Sequence, residues 1–142
     1  MNIEGVIVSG THGAHRSIKR QKEPFYERGL QEIHKFVDGT LNIDIGPYTK
    51  EFIQYDYFFK SVEHKKFPRR KTEDFGFIII ESITYRGTVY TNPGFIYVPH
   101  SSPHFTEPTI LEILAIPIIF ASCGEPIDLQ IPDNRLRLNN KF

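Results

Sequence analysis

Ten prolines and ten glycines punctuate this chain of 142 residues, so no run of regular structure is long before something interrupts it. Between the interruptions the residues are mostly β-branched or aromatic, the types that suit a pleated surface. Residues 3–9, 40–45, 75–85, 88–90, 94–98 and 127–131 read as short strands, and 40–45 and 127–131 alternate cleanly between apolar and polar. Residues 51–60 read as a strand or as a loop with a helical turn, and 110–116 as a strand or a helical turn. A short strand leaves bare N–H and C=O groups along its edges, and closing the sheet on itself is the usual remedy.

A helical period shows clearly in one place. Phe25, Leu30, Ile33 and Phe36 or Val37 recur close to every 3.6 residues, and Pro24 suits a helix start. The spacing predicts a helix over 24–34. The expected fold is mainly β: a small closed six-stranded barrel with one inserted helix. It forms a single domain over 1–142, with the polar segment 133–142 as a loose tail.

Composition narrows the function classes. Seventeen basic residues balance seventeen acidic ones, which makes a dedicated duplex-DNA binder and nucleic-acid partners in general poor candidates. The longest apolar stretch, 110–121, is broken by Glu112 and Pro117 and is too short to cross a bilayer. The N-terminus lacks a basic segment followed by an apolar one, so the expected location is the reducing cytoplasm. Cys123, the single cysteine, reads as a buried small thiol beside a turn at Gly124.

Three segments place small or polar groups beside strand ends. In the first, Gly10-Thr11-His12-Gly13-Ala14-His15-Arg16, a strand runs into Gly-x-x-Gly, where backbone N–H groups can turn inward around an anion. An ordinary glycine-rich turn has the same pattern, and the lysine of a Walker loop is missing. In the second, Thr40 and Asn42 lie two apart on a strand and share a face. Their hydroxyl and amide oxygens are hard donors of the kind Mg²⁺ accepts beside a phosphate, and they equally suit a polar solvent face. In the third, His100 and His104 lie on a proline-rich loop ahead of Glu112, with no obvious third metal ligand nearby. Glu112 is a lone carboxylate among Ile110, Leu111, Ile113 and Leu114; it faces water or accepts a hydrogen bond from a ligand. The basic run Lys65 to Lys71 reads as a solvated loop, with a polyanion contact as the other option. No pattern of residues identifies a catalytic nucleophile or a carboxylate pair.

Taken in order, Gly5-Val6-Ile7-Val8-Ser9-Gly10, a loop ending at Arg16, a helix, and Gly39-Thr40-Leu41-Asn42-Ile43 resemble the archaeal CTP-dependent riboflavin kinase family. Val98-Pro99, the histidine-bearing loop, Leu111-Glu112-Ile113-Leu114-Ala115 and Gly124-Glu125-Pro126-Ile127-Asp128-Leu129 resemble that family's ending. The resemblance covers about residues 3–132. It implies a cradle-loop barrel that transfers the γ-phosphate of CTP to riboflavin, giving FMN and CDP. It also implies that Thr40 and Asn42 hold Mg²⁺ and that Gly10, Thr11, His12, Gly13, Ala14, His15 and Arg16 wrap the nucleotide. Glu112, with a hydroxyl from Thr106 or Thr109, would then hold the flavin. The other reading is a barrel that binds a flavin-like or nucleotide-like ligand without transferring phosphate.

Overall fold

The computed structural model describes residues 1–10, 15–37, 39–63, 72–100, 105, 107–117 and 122–140, with backbone alone for 9, 10 and 15–20. Nine strands lie among them: β1 (Asn2–Gly10), β2 (Leu41–Asp44), β3 (Tyr48–Phe52), β4 (Tyr57–Glu63), β5 (Thr72–Tyr85), β6 (Thr88–Pro99), β7 (Ile110–Ala115), β8 (Pro126–Gln130) and β9 (Leu136–Asn140). One α-helix, α1 (His15–Glu27), and a 3₁₀ turn over Gln31–Lys35 complete the regular structure.

Six strands close a barrel in the order β5-β6-β7-β2-β1-β8, with β8 pairing back onto β5. Every pairing in it is antiparallel. The closed six-stranded antiparallel barrel, with α1 as the α-helical element among the described residues, matches the sequence expectation. Closure depends on the length of β5. Its second half, Ser82–Thr84, pairs with β8, while its first half pairs with β4, which lies outside the barrel. β3 and β9 form a separate two-stranded sheet.

Alternation along β5 sends Ile78 and Ile80 into the barrel and Phe75 and Phe77 to the opposite face. The barrel interior is dominated by isoleucine, including Ile3, Ile7, Ile43, Ile113 and Ile127. A second core sits between the outer face and α1, and it is mostly aromatic: Phe25, Phe36, Phe75, Phe77, Phe95 and Tyr97. Phe25 meets Phe75 and Phe77 edge-on, with centroids 4.9 and 5.0 Å apart.

Three sequence expectations change. Residues 88–90 and 94–98, read as separate strands, belong to the one strand β6, because a bulge absorbs the interruption. Ile80 faces Gly94 but Ser82 faces Thr91, so β6 carries an extra residue around Asn92 (φ 48°) and Pro93. The helix is also displaced. Pro24 lies inside α1 rather than at its start, and Gly29 (φ 109°) follows its end. The apolar spacing correctly marked buried residues, since Phe25, Leu30, Ile33 and Phe36 are all within the second core, but it spans the helix and the 3₁₀ turn. Finally, the segment read as a loose tail supplies β9. There Leu136 is buried against the barrel core, and Arg135 pairs with Asp56 at 2.8 Å.

Side chains from α1 and from the residue just after it cover the outer edge of β4. Gln21 donates to the Glu63 carbonyl at 2.9 Å, and Arg28 donates to the carbonyls of Lys60 and Ser61 at 2.7 and 3.2 Å. An edge strand left bare is a template for unwanted pairing, and these bonds occupy it. Among the described residues no helix is long and apolar enough to cross a membrane.

Candidate functional site: a polar row on the barrel's outer face

The short strand β2 sits between β1 and β7. Its alternation sends Leu41 and Ile43 toward the barrel core and Asn42 outward. Asn42 faces Ser9 of β1 on one side and Glu112 of β7 on the other. Beyond Glu112 the same row continues through Tyr97 of β6 and Phe77 of β5 to Tyr57 of β4. Directly opposed residues in antiparallel strands share a face, with Cβ atoms about 5 Å apart. The row therefore runs from aromatic at β4 to polar at β2 and ends near the C-terminal end of β1.

That register gathers residues from all three candidate segments. Gly10 faces Leu41, between Thr40 and Asn42 in the chain. Thr40 and Asn42 are 3% and 4% exposed, so they are not the polar solvent face that a half-exposed strand would show. Glu112 is half-buried and borders a small cavity together with Lys50, Phe52, Tyr97 and Phe105. The cavity measures about 10 Å³, room for one water. His15 and Arg16 form the first residues of α1.

Other candidates stand apart. Thr109 is half-buried just ahead of β7, and its carbonyl accepts the Ile45 N–H at 2.8 Å. Thr11, His12, Gly13, Ala14, Thr106, His104 and the run Lys65 to Lys71 lie outside the described residues. His100 belongs to an aromatic cluster. Its Nε2 lies 3.1 Å from the Tyr55 hydroxyl, and its ring stacks on Phe105 at 4.5 Å. Among the described residues no three His, Cys, Asp or Glu side chains group as a metal site. Cys123 is exposed, contrary to the buried thiol expected, because it sits on the turn where Gly124 takes φ 88°.

The sequence reading missed Lys50. On β3 it sits in Tyr-Thr-Lys-Glu-Phe, where alternating polar residues give no sign of a partner. In the fold its ammonium donates to the carbonyls of Glu107, at 2.6 Å, and of Ile110. Burial pulls its pKa from 10.5 down to about 8, against the opposing pull of Glu112 and Glu107. Tyr97 was missed as well. Burial first, and then the nearby charges of Glu112 and Glu73, hold its phenol neutral well above the ordinary range.

The donor set around β2 suits a small hard cation. The Thr40 hydroxyl and the Asn42 amide are neutral oxygen donors, and Glu112 adds a carboxylate one strand away. Mg²⁺ takes few protein ligands of this kind and completes its shell with water and phosphate. Comparison of the sequence with protein-family models and with curated proteins finds no match in either.

Proposed function

We propose that this protein is a small-molecule kinase of the riboflavin kinase type. It would move the γ-phosphate of a nucleoside triphosphate, CTP by resemblance, to riboflavin. The observation that supports this reading is the register Ser9–Asn42–Glu112, which brings the ends of three separate segments onto adjacent strands. Phosphoryl transfer asks the protein for positioning and charge stabilisation, and little covalent chemistry.

In this reading Thr40 and Asn42 hold Mg²⁺, which when bound neutralises charge on the transferring phosphates. The N–H groups opening α1 would face the phosphates, where a helix start favours anions. Arg16 contributes a guanidinium fork and Glu112 accepts from the flavin.

The deciding measurement follows FMN formation from riboflavin with CTP and with ATP, with and without Mg²⁺. Asn42→Ala and Thr40→Ala should each abolish Mg²⁺-dependent nucleotide binding while the protein stays folded. His15→Gly should raise turnover, because the resemblance places glycine where this chain has a bulky imidazole. Nucleotide or flavin binding without FMN formation in either protein supports the non-catalytic barrel instead. Absence of all binding removes both readings.

A further inference from the structure

Val8 is an extra residue in β1. Ile7 faces Ile43 and Ser9 faces Asn42, so two steps along β1 match one along β2. Without that bulge Val8 would stand opposite Asn42, and the end of β1 would be out of step with β2. The bulge is held from its other side. Ile7 donates its N–H to the Glu125 carbonyl at 2.9 Å, and its carbonyl accepts from the Gly124 N–H at 2.7 Å. Side chains from the β5–β6 hairpin hold that turn in place. The Glu125 carboxylate accepts from two guanidinium nitrogens of Arg86, with Nε at 2.8 Å, and from the Tyr85 hydroxyl. The same hydroxyl accepts from the Ser122 N–H at 3.2 Å, so it meets both ends of the turn. The Tyr85 ring lies in the barrel core, which fixes where its hydroxyl sits.

Arg86 is the odd residue in this clamp. With Gly87 it joins β5 to β6, and the two take φ 49° and 76°. Two positive values in a two-residue hairpin loop belong to a type I′ turn, which favours Asn-Gly. Arginine is strained there, and asparagine is not. The guanidinium that the chain keeps at this position grips Glu125 and lies 5.3 Å from the Tyr85 ring centre.

We infer that Arg86, Tyr85 and Glu125 are positioning residues for the metal and phosphate end of the candidate site, acting through the turn 122–125 on the β1 bulge that sets Ser9 opposite Asn42. In this arrangement none of the three touches a ligand. The clamp acts on one half of the site, because Glu112 stands on β7 with β2 between it and β1. The inference deepens the kinase reading, and rests on it only for what binds beside Asn42.

The test compares Arg86→Asn with wild type in the full chain. Asparagine suits the turn, so the variant should melt close to the wild-type temperature while lacking the guanidinium. Amide exchange over residues 7–10 and 41–42 should speed up at least about tenfold, while residues 2–5, paired with β8, keep their protection. In calorimetric titrations CTP with Mg²⁺ should bind at least about tenfold more weakly to the variant, with riboflavin affinity unchanged. If Arg86→Asn fails to fold, Tyr85→Phe, which removes only the hydroxyl, is read the same way. Unchanged exchange at 7–10 and 41–42 overturns the inference. So does faster exchange spread evenly over β1 and β8, or equal weakening of CTP and riboflavin, either of which marks a merely structural clamp. Unchanged CTP binding in a variant with faster local exchange refutes the positioning role and leaves the kinase. A wild type that binds no nucleotide refutes the kinase reading, and the exchange result alone then decides whether the clamp sets the register at Asn42.

Discussion

The barrel interior and the space beneath α1 are both fully buried, yet they are built from different residues. Inside the barrel, isoleucines from every strand interlock. β-branched side chains are stiff at χ1 and fit a pleated wall, so each has one comfortable position. Beneath α1 the contacts are phenylalanines and Tyr97, mostly meeting edge to face, as Phe36 does with Phe95 at 5.3 Å and Phe77 with Phe95 at 5.6 Å. Such pairs add about 0.5–1.5 kcal/mol beyond the area they bury. The first core is shared among six strands and cannot be lost piecemeal. The second belongs largely to one helix, one 3₁₀ turn and one face of the sheet, and it can open while the barrel stands.

The largest expected effect lies where barrel strands approach most closely. Gly94 takes φ 155°, and a Cβ there would sit 2.0 Å from the Leu114 carbonyl oxygen, which is backbone and cannot turn aside. Gly94→Ala should destabilise by more than about 3 kcal/mol or prevent folding, read as loss of a cooperative denaturant transition. A mild effect would show that β6 and β7 can separate without cost to the barrel.

Phe25→Ala comes next, at about 3–5 kcal/mol for the contacts of α1. Its signature is spatial. Amide exchange should lose protection across α1 and the 3₁₀ turn while β1, β2 and β7 keep theirs. Equal loss in both regions would merge the two cores into one cooperative unit. Ile80→Val removes one methylene from the barrel and should cost about 0.5–1.5 kcal/mol, spread evenly over the six strands.

The smallest effect concerns the clamp at one barrel end. Glu125 accepts from Arg86 Nε at 2.8 Å and from the Tyr85 hydroxyl. The Arg86 hydrogen bond, with Tyr85 second, lowers the Glu125 carboxyl from 4.5 to about 2. A carboxylate depressed in the folded state stabilises it above the unfolded value, and that contribution is lost as pH falls from about 4.5 toward 2. Melting temperature should drop over that window, and Glu125→Gln should flatten the drop.

How much was legible differs between the two regions. The barrel strands were readable because alternation is local: Leu41, Ile43 and Ile45, or Ile127, Leu129 and Ile131, declare one face within five residues. The first half of α1 was not, because 15–20 offers one apolar residue, Ile18, and no period. β9 was hidden for another reason. Its partner β3 lies almost ninety residues earlier, with Tyr48 opposite Asn140, and a five-residue strand among basic and amide side chains resembles a tail until the partner is present. The candidate site divides in the same way. Thr40, Asn42 and Glu112 stand out by residue type, while Lys50 is an ordinary surface lysine until β3 folds across the start of β7.

By itself the sequence determined that this chain is mainly β, that its strands are short enough to need closure, and which residues of 40–45 and 127–131 share a face. A clean period of two, where a strand carries one, needs no partner to be read. Only the tertiary structure decided that Asn42 faces Ser9 on one side and Glu112 on the other, and that Lys50 meets Glu112 across a single cavity. Alternation settles the face of a residue but is indifferent to which residue stands opposite, since a slip of two positions preserves every inward side chain. That choice was made by packing around the closed barrel and by the bulges in β1 and β6, which only the assembled sheet reveals.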